Sequence, residues 1–130
     1  MNSSLREVLN SFCHRQSHAE TVLNTSTDGR KLFFHGNCIA MHTDPSGWDP
    51  AIRISAWGLP TATTAKRLTQ LLRVMGANSA RVSRVKKNKL APWSQKKNAK
   101  LVLKDGWGET LNLPYVMRCD HILDMIHMDV

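Results

Sequence analysis

The densest group of potentially functional side chains lies between residues 81 and 104, where nine lysines and arginines surround one tryptophan. Lysine and arginine neutralise phosphate groups, and an exposed indole can stack on an unpaired base. These residue types favour contact with DNA or RNA, with a solvated loop as the alternative. The candidate binding residues are Arg81, Arg84, Lys86, Lys87, Lys89, Trp93, Lys96, Lys97 and Lys100.

The positive charge is concentrated in the middle of the chain. No carboxylate lies between Asp49 and Asp105, whereas 13 of the 18 lysines and arginines lie there. With a formal net charge of +8, the protein should attract polyanions such as nucleic acid, or an acidic surface of another protein. No zinc finger, helix-turn-helix or RNP motif accompanies the cations, so base-specific recognition is not expected.

Histidines and cysteines suggest metal ligands, but each set is incomplete. His14 and His18 are four residues apart on a predicted helix, and His35 is expected opposite Cys38 in a hairpin. A structural zinc needs four close ligands, and a catalytic zinc needs three with an open position. We therefore predict no metal and no cofactor, and we expect reduced thiols because three widely spaced cysteines fit no disulfide framework. The third set, in the tail, is Cys119, His121 and His127.

Enzymatic activity is the weaker interpretation, and no catalytic residue is predicted. A nuclease needs clustered carboxylates for metal ions or two histidines placed for proton transfer. The ten acids are scattered outside the basic segment. Asp120 and Asp124 are a pair at helical spacing, and they suit the polar face of a helix. A small nuclease or other hydrolase remains a minor alternative.

The elements that would position these residues begin with a helix over 4–18, where Ser4 and Glu7 form a Ser-x-x-Glu capping box. The polar residues 24–29 are typical of a loop. The helix, followed by this loop, should precede the first strand of a sheet.

Residues 31–57 are predicted to form a meander of three strands. Gly36 and Asn37 suit a two-residue hairpin loop, which would pair His35 with Cys38. In that register one face of the hairpin carries Leu32, Phe34, Ile39 and Met41.

A second helix is predicted over 61–76, capped by Thr61 or Thr63. A terminal helix is predicted over 115–128. The apolar stripe of the second helix consists of Leu68, Leu71, Leu72 and Met75.

Together these elements predict one α+β domain over residues 1–130, because this length suits a single core. An antiparallel sheet of three to five strands should be covered by the central helix, with helices at both ends of the chain. The basic segment 81–104 should form a strand, a loop and a second strand. No run approaches the roughly 20 apolar residues that cross a bilayer, and the N-terminus lacks a signal-peptide pattern, so a cytoplasmic protein is expected.

Residues 31–76 contain several short motifs in a fixed order: a hairpin with the sequence FFHGNCIA, a strand, a turn with glycine beside an aromatic residue, and a helix that begins PTATT and continues with Arg67-Leu68. In this order the motifs resemble a pattern found in small accessory proteins of tailed bacteriophages. The resemblance implies a virus-encoded accessory protein made in the host bacterial cytoplasm, and it supplies no catalytic residues.

Two hypotheses from different classes follow. In the first, a non-enzymatic phage protein of the host-takeover or anti-defence type binds nucleic acid or a host nucleoprotein through its basic surface. In the second, the protein inhibits a host defence or metabolic protein, with tryptophans as anchors and cations steering association. Either could act as a monomer or a homodimer. The tryptophans are Trp48, Trp57, Trp93 and Trp107.

Overall fold

The computed structural model describes residues 4–43, 51–56, 61–88, 90, 99–105 and 108–118. Over these residues the chain has an α+β fold, which confirms the predicted class. The helices are α1 (Leu5–Cys13) and α2 (Ala62–Val74). The strands are β1 (Ser17–Val22), β2 (Thr25–Asp28), β3 (Lys31–Phe34), β4 (Asn37–His42), β5 (Ala51–Ile54), β6 (Arg81–Lys86), β7 (Ala99–Lys104), β8 (Thr110–Asn112) and β9 (Tyr115–Arg118).

The described strands form two antiparallel sheets. One has six strands in the order β1-β2-β3-β4-β5-β9, and the other has three in the order β6-β7-β8. The antiparallel arrangement is as predicted, but the expected single sheet of three to five strands is wrong. Sheet membership depends on pairing between distant segments, such as β5 with β9, which a local hydrophobic pattern does not reveal.

Helix α1 starts as its capping residues predict and ends earlier than expected. The Ser4 hydroxyl accepts a hydrogen bond from the backbone N–H of Glu7 at 3.2 Å. At the other end Arg15 takes a left-handed conformation with φ of 58°. The N–H of Gln16 then donates to the carbonyl of Ser11 at 2.8 Å, which closes a Schellman motif. The predicted helix over 4–18 is therefore too long. Glycine usually occupies the left-handed position that ends a helix, and here that position is an arginine.

The predicted loop over residues 24–29 contains strand β2 instead. A tight turn with positive φ at Leu23 and Asn24 joins it to β1. Thr25 and Thr27 are buried in the strand, and their hydroxyls donate to the carbonyls of Leu23 and Lys31 at 3.1 and 2.7 Å. Because these hydroxyls are satisfied locally, a polar segment can fill an interior strand.

The hairpin of β3 and β4 forms, but its turn lies one residue earlier than predicted. His35 and Gly36 both have positive φ and form the loop, so that Phe34 pairs with Asn37. Phe33 pairs with Cys38, and Ile39 is the extra residue of a β-bulge. The bulge restores the core face, so three of the four residues predicted there are buried and Met41 is half-buried. The buried residues of this hairpin are Leu32, Phe34, Ile39, Ala40 and His42.

Helix α2 lies inside the predicted range 61–76 and carries the predicted stripe. The Thr61 hydroxyl accepts from the N–H of Thr64 at 3.2 Å, and all four stripe residues are fully buried. The helix packs against the edge of β6, where the Thr69 hydroxyl bonds to both the N–H and the carbonyl of Val82 at 3.0 and 3.2 Å. At this position the Thr69 hydroxyl, rather than another strand, forms the hydrogen bonds to the edge of the three-stranded sheet.

The predicted terminal helix over 115–128 is wrong in its first four residues. Tyr115–Arg118 form β9, which pairs with β5 along its whole length. As a strand, these four residues complete the backbone hydrogen bonds of β5. As a helix they would not. Residues 119–130 lie outside the described residues. Within the described residues, neither helix has the length and apolar character needed to cross a membrane.

Candidate nucleic-acid interface

The candidate interface is one face of the three-stranded sheet. The register of β6 and β7 places Arg81 directly opposite Lys104, and Lys100 opposite Val85. Residues that oppose each other or alternate along a strand share a face. Arg81, Lys100 and Lys104 therefore lie on the same side of the sheet, which we call the basic face. Lys100 and Lys104 are separated by about 13 Å along β7.

Polar side chains of β8 lie beside these cations. Thr110 pairs with Lys104, and Asn112 pairs with Val102 on the basic face. The Lys100 ammonium donates to the Asn112 side-chain oxygen at 3.3 Å. Lys100 and Lys104 are both half-buried. The face thus combines cations with neutral hydrogen-bonding groups, which is the mixture that proteins use to contact phosphates and sugars.

No protein-family model, curated protein or solved structure matches the chain.

The sheet separates the predicted binding residues from one another. Arg84 and Lys86 alternate with the residues of the basic face, so they lie on the side where Leu101 and Leu103 enter the core. Lys87 follows β6 and is exposed. Strand alternation therefore divides cations that are close in sequence. The other predicted binding residues, Lys89, Trp93, Lys96 and Lys97, lie outside the described residues, as do Trp48, Trp57 and Trp107.

Sequence reasoning missed Lys104, Thr110 and Asn112 as members of this face. Lys104 could have been found, because Lys100 and Lys104 are an even number of positions apart in a predicted strand and so point to the same side. The two residues of β8 had no such signal, since that strand was not predicted.

The histidine and cysteine sets do not come together as the sequence suggested. His14 caps the end of α1 and His18 lies in β1, so the two do not share a helix. His35 is in the hairpin turn and Phe33 takes its predicted place opposite Cys38. Burial raises the pKa of the Cys38 thiol, which disfavours the nucleophilic thiolate. No cluster of three or more metal-ligating side chains occurs in the part of the chain that the structure describes, a part that ends before Cys119, His121 and His127.

A buried histidine that sequence reasoning did not single out lies in the core. His42 is 3% exposed, its Nε2 donates to the carbonyl of Phe12 at 2.6 Å, and the two rings are 4.6 Å apart. Burial lowers the pKa of His42 below its ordinary 6.5. The hydrogen bond to Phe12 opposes this shift, and the charge of Arg15 adds to it. His42 is therefore a buried hydrogen-bond donor whose surroundings favour the neutral imidazole.

The free energy of unfolding should consequently fall as the pH drops below about 6.5. The unfolded chain takes up a proton on His42 near its ordinary pKa of 6.5, whereas the folded chain resists protonation. The stabilising contribution of His42 is therefore fully present above that pH. Below it, the free energy of unfolding declines by up to about 1.4 kcal/mol per pH unit, until the pH reaches the lowered pKa of His42 in the folded chain.

Urea unfolding between pH 7.5 and 5 would measure this effect. His42→Gln, which keeps a donor and does not titrate, should flatten the profile. The exposed His35, which occupies a left-handed turn that asparagine tolerates, provides the control His35→Asn. An unchanged profile in His42→Gln would contradict the assignment.

Proposed function

We propose that this protein is a non-enzymatic phage accessory protein that binds nucleic acid through the basic face. The observation that carries the proposal is the register of β6 and β7, which gathers Arg81, Lys100 and Lys104 on one side of a sheet. Cations from two strands, together with Thr110 and Asn112 of a third, form a surface over which a phosphate backbone can extend.

The absence of carboxylates from the sequence of this segment supports a polyanionic partner. No acid occurs between Asp49 and Asp105, so β6 and β7 contain no negative side chain to neutralise their lysines and arginines. A mixed surface would be favoured if solubility were the only requirement. Sheet faces are also established platforms for single-stranded nucleic acids.

The mode of action we infer is occupancy. Lysine and arginine contact phosphates, and the polar side chains of β8 fix the position of the strand. Binding of this kind is largely independent of base sequence and depends strongly on salt. The resemblance to tailed-phage accessory proteins supports a role in the host bacterial cytoplasm, on host nucleic acid or on a nucleoprotein.

Removal of the three cations should weaken binding and reduce its salt dependence. In the variant Arg81→Gln/Lys100→Gln/Lys104→Gln, the slope of log affinity against log salt concentration should fall by about 2 for a single strand, at about 0.7 per lost phosphate contact. Fluorescence anisotropy with single-stranded DNA, double-stranded DNA and RNA at several salt concentrations would measure it.

A matched control removes the same charge elsewhere. Arg6, Arg30 and Lys66 are exposed on α1, on the turn after β2 and on α2. Their triple glutamine variant has the same net charge as the test variant and should retain most of the slope. Equal losses in both variants would show that only overall charge matters. Failure of the wild-type protein to bind any nucleic acid at low salt would overturn the proposal, and a pull-down of host proteins would then test inhibition of an acidic partner.

A further inference from the structure

A cleft of about 560 Å³ lies at one end of the basic face. It is located where α2 leads into β6 and where β7 turns into β8. This volume is within the range of small-molecule sites in proteins. The side chains that matter for its chemistry are Arg73, Ser79, Arg81, Lys104, Glu109 and Thr110.

Arg73 is held in place by backbone groups. Its Nη1 donates to the carbonyls of Ala77 and Ala80 at 2.9 and 2.6 Å, which ties the end of α2 to the start of β6. A guanidinium has five N–H donors, so donors remain for a ligand in the cleft. Because its position is already determined, binding an anion there costs little additional side-chain entropy.

The charge of the cleft suits a dianion. Three cations, Arg73, Arg81 and Lys104, face one carboxylate, Glu109, which leaves an excess of two positive charges. The Ser79 and Thr110 hydroxyls add neutral donors. A phosphate monoester carries a charge of about −1.5 to −2 at neutral pH, with three strong acceptor oxygens. An internal phosphodiester carries a single charge and matches this site less well.

Two of the cations belong to both the cleft and the basic face. Arg81 and Lys104 line the cleft, and Lys100 lies about 13 Å farther along β7. On this face the buried Val102 lies between Lys100 and Lys104. A strand whose end lies in the cleft can therefore meet a further cation along β7, which favours the end of a nucleic-acid chain over a free anion.

We propose that the cleft binds the terminal phosphate of a nucleic-acid strand whose following nucleotides lie on the basic face. The inference rests on the proposed function and adds a preferred end group to it. Arg73 and Arg81 contact the phosphate oxygens, Ser79 and Thr110 donate to them, and Glu109 limits the affinity by repulsion.

The test compares single-stranded oligonucleotides of identical sequence that carry a phosphate or a hydroxyl at the 5′ or 3′ end, and a circular oligonucleotide without ends. We expect one phosphorylated end to bind about ten-fold tighter than its hydroxyl counterpart, since a charge-assisted site distinguishes the two. Glu109→Gln should increase that preference several-fold, because the lost carboxylate repels the terminal phosphate more than it repels a singly charged phosphodiester. Glu20 is exposed on β1, so Glu20→Gln is the control of equal charge and should not alter the preference.

The outcomes separate this inference from the function on which it rests. Equal affinity for phosphate and hydroxyl ends, in the wild type and in Glu109→Gln, would overturn the cleft assignment while nucleic-acid binding stands. No binding of any oligonucleotide, the circle included, would overturn both. A nucleoside monophosphate that binds as tightly as the phosphorylated strand would also overturn the assignment, because the rest of the strand would then contribute nothing.

Discussion

Replacing Phe12 with alanine should lower the free energy of unfolding by about 3 to 5 kcal/mol. Phe12 is fully buried at the last turn of α1, and its ring packs on His42. The truncation removes a large apolar side chain and leaves a cavity between the helix and the six-stranded sheet. Because natural domains are stable by about 5 to 15 kcal/mol, this single change should place much of the protein near its unfolding transition.

Urea denaturation followed by circular dichroism would measure the loss. Leu23 is 63% exposed in the turn before β2, and Leu23→Ala should change stability by no more than about 0.5 kcal/mol. Phe12→Leu should give an intermediate result because it leaves a smaller cavity. A loss below about 1 kcal/mol for Phe12→Ala would contradict the packing of α1 on the core.

Replacing Arg67 with methionine should instead raise the free energy of unfolding, by about 1 to 3 kcal/mol. Arg67 is only 6% exposed, and burial lowers the pKa of its guanidinium. Its Nη1 donates to Gln70 at 2.6 Å and its guanidinium lies 5.3 Å from the centre of the Phe34 ring. Its Nε is buried and has no hydrogen-bond partner among the described residues. These contacts replace only part of the hydration that the charge loses on folding.

Methionine keeps most of the arginine stem and removes the charge. Arg67→Ala provides the comparison, because it removes the charge and the packing on Phe34 together. The alanine variant should be less stable than the methionine variant by about 2 to 3 kcal/mol. If methionine lowered the stability by more than about 1 kcal/mol, the bond to Gln70 and the contact with Phe34 would outweigh the cost of burying the charge.

Local chemistry explains which elements could be predicted. A helix start depends on a hydroxyl that accepts a hydrogen bond from the backbone N–H three residues later. Ser4 and Thr61 could therefore be recognised as caps. The stripe of α2 depends only on helical periodicity, and it is buried as predicted. The hairpin of β3 and β4 could be located from its turn residues. Its register could not, because positive φ at His35 and a bulge at Ile39 are allowed but not specified by those residue types.

Two strands depend on pairing with other strands. β2 is polar and becomes a strand because it pairs with β1 and β3, while Thr25 and Thr27 satisfy their hydroxyls on nearby carbonyls. β9 forms because β5 offers an edge to pair with. In both strands, pairing selected one of the conformations that the local sequence permits. The end of α1 is different, because Arg15 closes a Schellman motif through local hydrogen bonds without the glycine that marks most such stops.

Three features could be predicted without the structure: the class of the fold, the starts of both helices and the concentration of cations in a segment without carboxylates. Those features depend on composition and on neighbours within a few positions. Only the folded chain shows which cations lie on the same face. Strand alternation moved Arg84 and Lys86 away from the basic face, and the pairing of β6, β7 and β8 brought Arg81, Lys104 and Thr110 to one end of it. Side chains from three strands meet only when the backbone hydrogen bonds set their register, and no short stretch of sequence contains that information.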